Sequence, residues 1–195
     1  MISGVVLAAG VSSRLGVPKQ LLAYRGRSLI VHVVENLLMS QVDEVVVVLG
    51  NRAEQVMEVL AGYSIRTIIN REFTAGQSTS LKAGLTALSS ATRAALFVLG
   101  DQPLVNAQTI NLLIDHYWLA GGIVAPYFNG KRGNPVLFDR DFFKEISFLS
   151  GDVGAREIIR KHPESLVKVN VTDSGVVFDV DTWGDYHALI SDVND

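Results

Sequence analysis

The strongest constraint on the fold is a regular alternation of short apolar runs with longer amphipathic segments. Apolar runs of strand length lie at Ile2–Leu7, Glu44–Leu49, Ile65–Ile69, Ala94–Leu99 and Ile123–Ala125. Runs that are apolar on both faces are typical of parallel strands covered by helices on two sides. Apolar residues between them recur at helical spacing, and the order β-α-β-α-β-α-β-α-β predicts a doubly wound, three-layer α/β/α sandwich with a mostly parallel sheet.

The helices that complete this order can be located approximately. Four are centred on Leu29–Leu38, Val56–Leu60, Leu81–Leu88 and Ile110–Tyr117. Ser78 or Thr79 is expected to cap the third of them. The last third is expected to extend the sheet and to close a site on it, with strands or helices at Pro135–Phe138, Asp152–Lys161, Val167–Val171, Val176–Val180 and Trp183–Ser191.

Composition limits the classes of function. The chain has 195 residues, 48% of them hydrophobic, and a formal net charge of −3. A general nucleic-acid binder usually carries a basic excess, so no nucleic-acid partner is expected. The absence of cysteine excludes disulfides, thiolate metal sites and a cysteine nucleophile. Neither a signal peptide nor a membrane-spanning segment is predicted, and a cytoplasmic location is expected.

The loop after the first strand predicts a polyphosphate site. It is small, rich in glycine and hydroxyls, and long for a connection between strand and helix. Its backbone N–H groups can approach phosphate oxygens closely, and it fits neither the P-loop nor the dinucleotide pattern. An ordinary surface loop is the alternative. The candidate nucleotide-binding residues are Leu7, Ala8, Ala9, Gly10, Ser12, Ser13, Arg14 and Lys19.

Acidic residues follow two later runs and predict a metal site. Gly100 and Asp101 follow the strand Ala94–Leu99. Gly100 is a further candidate nucleotide contact, and Asp101 offers hard oxygen ligands of the kind that suit Mg²⁺. Asp181 closes the run Val176–Val180 and is expected to share the metal, with Asp179 on the same side of that strand. Each aspartate could instead serve only as a helix cap or turn residue.

A hydroxyl-rich helix start after the third strand predicts a second wall for base, ribose or phosphate. Its candidate contacts are Asn70, Gly76, Ser78 and Ser80, because free N–H groups at a helix start attract anions. A well-capped helix without a ligand is the alternative. An α/β-hydrolase site is disfavoured because Gly76–Ser80 lacks the last glycine of the nucleophile elbow.

Together these motifs resemble those of MobA-like nucleotidyltransferases. The resemblance rests on the pattern L-A-A-G-x-S-x-R-x-G-x-x-K at 7–19, G-x-S-x-S-L at 76–81 and Gly-Asp-Gln-Pro at 100–103, with further matches at 133–138, 151–156 and 179–182. It is greatest to the molybdenum cofactor cytidylyltransferase branch, whereas the guanylyltransferases tend to have Gly-Gly at the position of Ala9-Gly10. The family often has Pro-Glu where this chain has Trp183-Gly184.

The resemblance implies a fold like that of nucleotide-diphospho-sugar transferases and a specific reaction. CTP would lie on the first loop, with Lys19, Arg14 and Asp101 as the catalytic residues. Asp101 and Asp181 would hold Mg²⁺, and the terminal phosphate of molybdopterin would attack the α-phosphorus and release pyrophosphate. Residues 1–195 would form a single domain, with 1–105 as its nucleotide-binding half and 106–195 as its acceptor-binding half. A molybdenum enzyme could receive the product.

The sequence defines the reaction more narrowly than it defines the acceptor or the nucleotide base. Lys131, Arg132 and Arg156 could bind the acceptor phosphate, or simply be solvated. Guanylyl transfer, transfer to a sugar phosphate or other phosphorylated alcohol, and a nucleotide-sensing chaperone are the alternatives. A phosphate nucleophile needs no strong base, so the histidines (His32, His116, His162 and His187) are expected to be structural or solvent-facing.

Overall fold

The computed structural model describes residues 1–12 and 14–191. Within them the strands are β1 (Ile2–Ala8), β2 (Ala23–Tyr24), β3 (Arg27–Ser28), β4 (Glu44–Leu49), β5 (Arg66–Ile69), β6 (Ala94–Leu99), β7 (Ile123–Phe128), β8 (Lys131–Arg132), β9 (Val136–Asp139) and β10 (Leu166–Asn170). The α-helices are α1 (Leu29–Leu38), α2 (Ala53–Val59), α3 (Gln77–Ala87), α4 (Ala107–Ala120), α5 (Phe143–Ser147), α6 (Arg156–Lys161) and α7 (Trp183–Ser191).

The main sheet has the strand order β10-β7-β9-β6-β1-β4-β5, and β8 pairs with β7. The interior strand β1 runs parallel to both of its neighbours, β4 and β6. β9 is antiparallel to its neighbours β6 and β7, so the sheet is mixed but mostly parallel. The predicted fold class is therefore confirmed. β2 and β3 form a separate two-stranded hairpin.

Burial on both faces explains why the apolar runs become central strands. Side chains alternate across a strand, and in β1 the successive residues Val5 and Val6 are both fully buried on opposite sides of the sheet. Val6 belongs to a core cluster that includes residues of α1, α2 and α4, whereas Val5 belongs to a cluster that includes residues of α3, α5 and α6. Full burial of each such side chain contributes roughly 1.5–3 kcal/mol.

Most predicted elements form close to their predicted bounds. Glu44–Leu49, Ala94–Leu99 and Trp183–Ser191 agree residue for residue. The short run Ile123–Ala125 continues as a strand to Phe128 because β10 pairs with it along its length. No helix within the described residues combines the length and apolarity that crossing a membrane would require.

The predicted strand Val176–Val180 does not form. Ser174–Val177 is a turn of 3₁₀ helix, and the residues after it are extended without a strand partner. Val176 is fully buried, and its carbonyl accepts hydrogen bonds from the backbone of Asn134 and the side chain of Gln102. Val176 is thus buried by packing against the loop after β6 and not by pairing in the sheet. The periodicity of the sequence predicts burial in both cases and cannot distinguish them.

Two predicted helix starts are also wrong. Neither Ser78 nor Thr79 caps α3, which begins after Gly76; the backbone N–H of its first residue, Gln77, donates instead to Oδ1 of Asp152 at 3.4 Å. The predicted helix Asp152–Lys161 begins only at Arg156, because the preceding residues are packed against the start of α3. A Cβ on Gly76 would lie 2.5 Å from the backbone nitrogen of Asp152 and closer still to the carbonyl group of Gly151.

Candidate active site

The carboxyl ends of β1, β4, β5 and β6 meet at one edge of the sheet, because these strands are parallel. A cavity of about 600 Å³ lies at this edge and will be called the nucleotide cavity. This is where open α/β sheets bind their ligands. The cavity is lined by Leu7, Ala9, Gly10, Val11, Lys19, Gln20, Phe73, Thr74, Ala75, Gly76, Gln77, Ser80, Leu99, Gly100, Asp101 and Asp152.

Polar contacts fix the loop that follows β1. Ser12 has a positive φ of 55°, and its Oγ accepts a hydrogen bond of 3.2 Å from the backbone N–H of Lys19. The buried amide of Gln20 donates to the carbonyl oxygen of Ala8 at 3.1 Å. A turn of 3₁₀ helix at Lys19–Leu21 continues from this anchor. The backbone of Lys19 is therefore held against the end of β1.

A cluster of two cations and two carboxylates lies between the first loop and the end of β6. The Nζ of Lys19 donates to Oδ2 of Asp101 and, at 2.7 Å, to Oδ1 of Asp181. Arg14 donates from Nη2 to the other oxygen of Asp181 at 3.1 Å. Lys19 and Asp101 are 14% and 13% exposed at their side chains, whereas Arg14 is 68% exposed. The contact between Lys19 and Asp101 is thus largely shielded from water.

These contacts shift the pKa values of ionisable groups in and beside the cluster. Burial acts to lower the pKa of the Lys19 ammonium, but the charge and hydrogen bonds of Asp101 and Asp181 outweigh it, so that pKa is raised. The hydrogen bond from Lys19, followed by the charges of Lys19 and Arg14, lowers the pKa of Asp181. Asp179 differs, because burial and the nearby Asp101 carboxylate raise its pKa. At neutral pH the cluster is therefore fully ionised at Lys19 and Asp181.

The two aspartates have the chemistry of a magnesium or manganese site. Oδ1 of Asp101 is buried without a hydrogen-bond partner, which is costly unless a cation or water satisfies it. Among the described residues there is no cluster of three or more acidic or histidine side chains that could hold a metal ion. Mg²⁺ commonly uses one or two carboxylates together with waters and substrate phosphates, so a pair of aspartates fits such an ion.

The start of α7 leaves Asp181 available for the cluster. The side chain of Asp185 accepts hydrogen bonds from the backbone N–H groups of Asp181 and Thr182, and Thr182 Oγ1 bonds to Asp185. Thr182 and Asp185 thereby satisfy the first turn of the helix. The helix begins at Trp183 even though the chain has Trp183-Gly184 where the family often has Pro-Glu.

A second cavity of about 670 Å³ adjoins the first and will be called the acceptor-side cavity. Its polar lining includes Arg14, Arg132, Asn134, Arg156, Asp179 and Asp181. Leu81, Phe97, Val136, Phe138 and Ile159 give it an apolar floor. Gln77 and Asp152 line both cavities, as do Leu7 and Leu99, so these four residues lie between the two cavities.

Comparison with known proteins places this arrangement in a family. The model of the MobA-like NTP transferase domain matches residues 4–166. The chain belongs to this family. The fold of this family accounts for the cavity at the carboxyl edge of the sheet. This MobA-like chain is an enzyme of the nucleotidyltransferase class.

The relatives include proteins similar over their whole length. Nicotine blue oxidoreductase of Paenarthrobacter nicotinovorans is 33% identical over 97% of this chain and 96% of the relative. Rv0371c of Mycobacterium tuberculosis H37Rv is 32% identical, with a TM-score of 0.87 over 97% of each chain, and has also been solved in complex with manganese. A nucleotidyl transferase of Methanothermobacter thermautotroptrophicus is 26% identical, with a TM-score of 0.86 over 98% of this chain and 97% of the other.

The structure brings most of the sequence-predicted residues to the two cavities of this MobA-like domain. The predicted residues that line the nucleotide cavity are Leu7, Ala9, Gly10, Lys19, Gly76, Ser80, Gly100 and Asp101. Arg14 and Asp181 line the acceptor-side cavity. Asp179 lines it too, although the strand that was expected to align it with Asp181 is absent. Their proposed contacts with substrate and metal stay predictions.

Five predicted contacts either line neither cavity or lie outside the described residues. Ser12 lines neither cavity, and its Oγ accepts the backbone N–H of Lys19. Ala8 is buried and holds Gln20 through its carbonyl oxygen. Asn70 is buried and donates to Ser80 Oγ at 3.1 Å. Ser78 is fully buried and donates to the carbonyl oxygen of Gly151 at 2.8 Å, so its hydroxyl joins two loops. Ser13 lies outside the described residues.

Sequence reasoning missed several lining residues. Phe73, Thr74 and Ala75 form a 3₁₀ turn beside the nucleotide cavity, and nothing in their sequence marks them as contacts. Gln102 is buried and donates to Asp179 Oδ1 at 2.5 Å. The Gly-Asp-Gln-Pro motif contains it, so the signal was present, but only Asp101 was given a role.

Proposed function

We propose that this enzyme transfers CMP from CTP to the terminal phosphate of a molybdopterin-type acceptor and releases pyrophosphate. One observation carries the proposal. Asp101 lines the nucleotide cavity, Asp181 lines the acceptor-side cavity, and Lys19 bonds to both carboxylates at the junction. A transfer between two bound substrates needs its charged centre at such a junction.

The first loop supports binding of the triphosphate. Gly10 and its neighbours offer backbone N–H groups with little steric hindrance. Lys19 and Arg14 neutralise phosphate charge from the two sides of the cluster. Asp101 and Asp181 would hold Mg²⁺, which when bound draws charge from the phosphate oxygens and the departing pyrophosphate.

The acceptor side supports an anionic substrate with a flat or apolar portion. Arg132 and Arg156 line the cavity with Asn134, above the floor that contains Phe97 and Phe138. Arginine suits phosphate because its planar fork donates two parallel hydrogen bonds. A phosphate oxygen of the acceptor would form the new bond to the α-phosphorus as the bond from that phosphorus to the β-phosphate oxygen breaks. The attacking oxygen is already anionic, so no side chain has to remove a proton.

The choice of CTP rests on the resemblance at Ala9-Gly10. The Ala9 methyl packs toward Gly50, where an added Cβ would lie 2.8 Å from it and equally close to the Cβ of Phe73. Ala9 and Phe73 also line the nucleotide cavity. Loss of the methyl in a Gly-Gly version would widen it, which agrees with a base smaller than guanine in this chain.

Oxidoreduction is the second candidate. It is favoured by one observation, namely that a relative matched over 96% of its length is named nicotine blue oxidoreductase. Such a reaction requires an electron or hydride donor. Residues 7–19 lack the G-x-G-x-x-G pattern of a dinucleotide fingerprint, whereas Lys19, Asp101 and Asp181 suit phosphoryl chemistry. Nucleotidyl transfer is therefore the stronger candidate.

The test is pyrophosphate release by the purified protein with molybdopterin and Mg²⁺ or Mn²⁺, comparing CTP, GTP and ATP. Asp101→Asn removes one charged ligand with little change in shape. Asp115→Asn, on the exposed side of α4, is the matched control. The proposal expects turnover with CTP, a loss of about 100-fold or more in Asp101→Asn, and no loss in Asp115→Asn.

The other outcomes separate the alternatives. Turnover with GTP would keep the mechanism and reject the base. Turnover only when a sugar phosphate replaces molybdopterin would reject the acceptor. Consumption of NADH or NADPH with a dye as electron acceptor, without pyrophosphate, would reject nucleotidyl transfer in favour of oxidoreduction. Nucleotide binding without any turnover would favour the sensing role.

A further inference from the structure

The ammonium of Lys19 lies between the two carboxylates that the proposed mechanism gives to a divalent cation. It bonds to Asp101 Oδ2 and to Asp181 Oδ1 at 2.7 Å. Both oxygens are of the kind that Mg²⁺ and Mn²⁺ prefer. A cation held between these two oxygens would have to take the place of this ammonium.

The charges at the cluster are balanced while Lys19 remains there. Two carboxylates, Asp101 and Asp181, meet two cations, Lys19 and Arg14. Addition of a divalent ion without further anions would leave an excess of two positive charges in a site where Lys19 and Asp101 are both largely buried. Such an excess is costly in a medium of low dielectric constant. The phosphates of a nucleotide would remove it.

Lys19 can leave the carboxylates without any change in the loop. Its backbone is held by Ser12 Oγ, and the next residue, Gln20, is held by the carbonyl of Ala8. Only the four-carbon side chain has to move. The same side chain lines the nucleotide cavity, so phosphate oxygens bound there lie within the space that its ammonium can reach.

We propose that Lys19 occupies the metal position of the nucleotide-free enzyme, and that the divalent cation enters together with the nucleotide, whose phosphates receive the displaced ammonium. Lys19 thereby opposes the binding of free metal and favours the metal–nucleotide complex. The inference rests on the proposed metal role of Asp101 and Asp181. It does not depend on which base or which acceptor the enzyme uses.

The test measures binding of Mn²⁺ alone, by calorimetry and by the electron paramagnetic resonance signal of free Mn²⁺. Lys19→Met keeps an unbranched side chain one atom shorter and removes its charge, and Lys19→Gln provides a second neutral variant. Arg14→Gln is the matched control, because it removes one positive charge from Asp181 without vacating the place between the carboxylates. Circular dichroism and thermal melting establish that each variant is folded.

We expect both Lys19 variants to bind Mn²⁺ at least about tenfold more tightly than the wild type. Arg14→Gln should change the affinity by less than about threefold. A double variant, Lys19→Met with Asp101→Asn, should lose the gain, since it removes a carboxylate. The wild type should bind Mn²⁺ much more tightly when a non-hydrolysable nucleoside triphosphate is present.

Three results would overturn the inference. The first is equal or weaker Mn²⁺ binding in both folded Lys19 variants. The second is an equal gain in Arg14→Gln, which would mean that general charge and not position is responsible. The third is a gain that persists when Asp101 is also changed. None of these readouts requires CTP or molybdopterin turnover, so failure of the proposed reaction would be recognised separately.

Discussion

Gly76 offers the most direct test of how the two cavities are joined. It precedes α3 with φ 109° and ψ 169°, a region that is essentially restricted to glycine. A Cβ there would lie 2.5 Å from the backbone nitrogen of Asp152 and nearer still to the Gly151 carbonyl. Gly76→Ala therefore adds backbone strain and a collision with backbone that cannot rotate away.

Gly121 provides a matched control for the strain alone. It ends α4 with φ 67° and ψ −159°, in the same glycine region, but a Cβ there would meet no atom within 4 Å. Strain of this kind costs about 1–3 kcal/mol. Overpacking typically adds a further 1–3 kcal/mol. Gly76→Ala should thus be destabilised by about 2 kcal/mol more than Gly121→Ala.

The assay is thermal and urea unfolding of both variants beside the wild type. For a chain of 195 residues, each kcal/mol lowers Tm by about 2–4 °C, so Gly76→Ala should melt about 4–8 °C below Gly121→Ala. Its nucleotidyl transfer should also fall, because Asp152 lines both cavities. Equal melting temperatures for the two variants would refute the inferred contact between the start of α3 and the Gly151 loop.

Three further predictions concern separate parts of the molecule. Gln20→Leu leaves the Ala8 carbonyl without the side-chain donor of Gln20. The free energy of unfolding in urea should fall by about 1–3 kcal/mol, and KM for the nucleotide should rise. An unchanged KM would contradict the role of Gln20 in anchoring the loop. Burial acts to raise the pKa of Glu44, but hydrogen bonds from neighbouring groups outweigh it and lower that pKa. The ionised Glu44 therefore contributes its full stabilisation above the unfolded-state pKa of about 4.3. This stabilisation is lost as pH falls through the lower folded-state pKa. In Glu44→Gln the free energy of unfolding, measured in urea as a function of pH, should therefore fall less steeply in acid. Arg132→Gln should raise KM for the acceptor by about tenfold or more. Lys131→Gln should not, because Lys131 does not line the acceptor-side cavity, and equal effects of the two changes would remove Arg132 from the acceptor site.

The sequence by itself determined the central sheet and one half of the candidate site. Strands such as β4 and β6 were predicted residue for residue, because burial on both faces leaves a continuous apolar run that depends only on local sequence. Lys19 and Asp101 were predicted for a related reason. Each follows a strand whose carboxyl end must lie at the ligand-binding edge of a parallel sheet.

Only the tertiary structure decided how distant loops meet. Asp181 reaches Lys19 across 162 positions of the chain, through a segment that was predicted as a strand and is not one. Gly76 and Gly151 come into contact although neither has a local signal for the other. Gln77 and Asp152 come to line both cavities for the same reason. Periodicity records which face of an element is buried, whereas contacts between loops depend on where the strands that carry them lie in the sheet, and that order is set by packing of the whole chain.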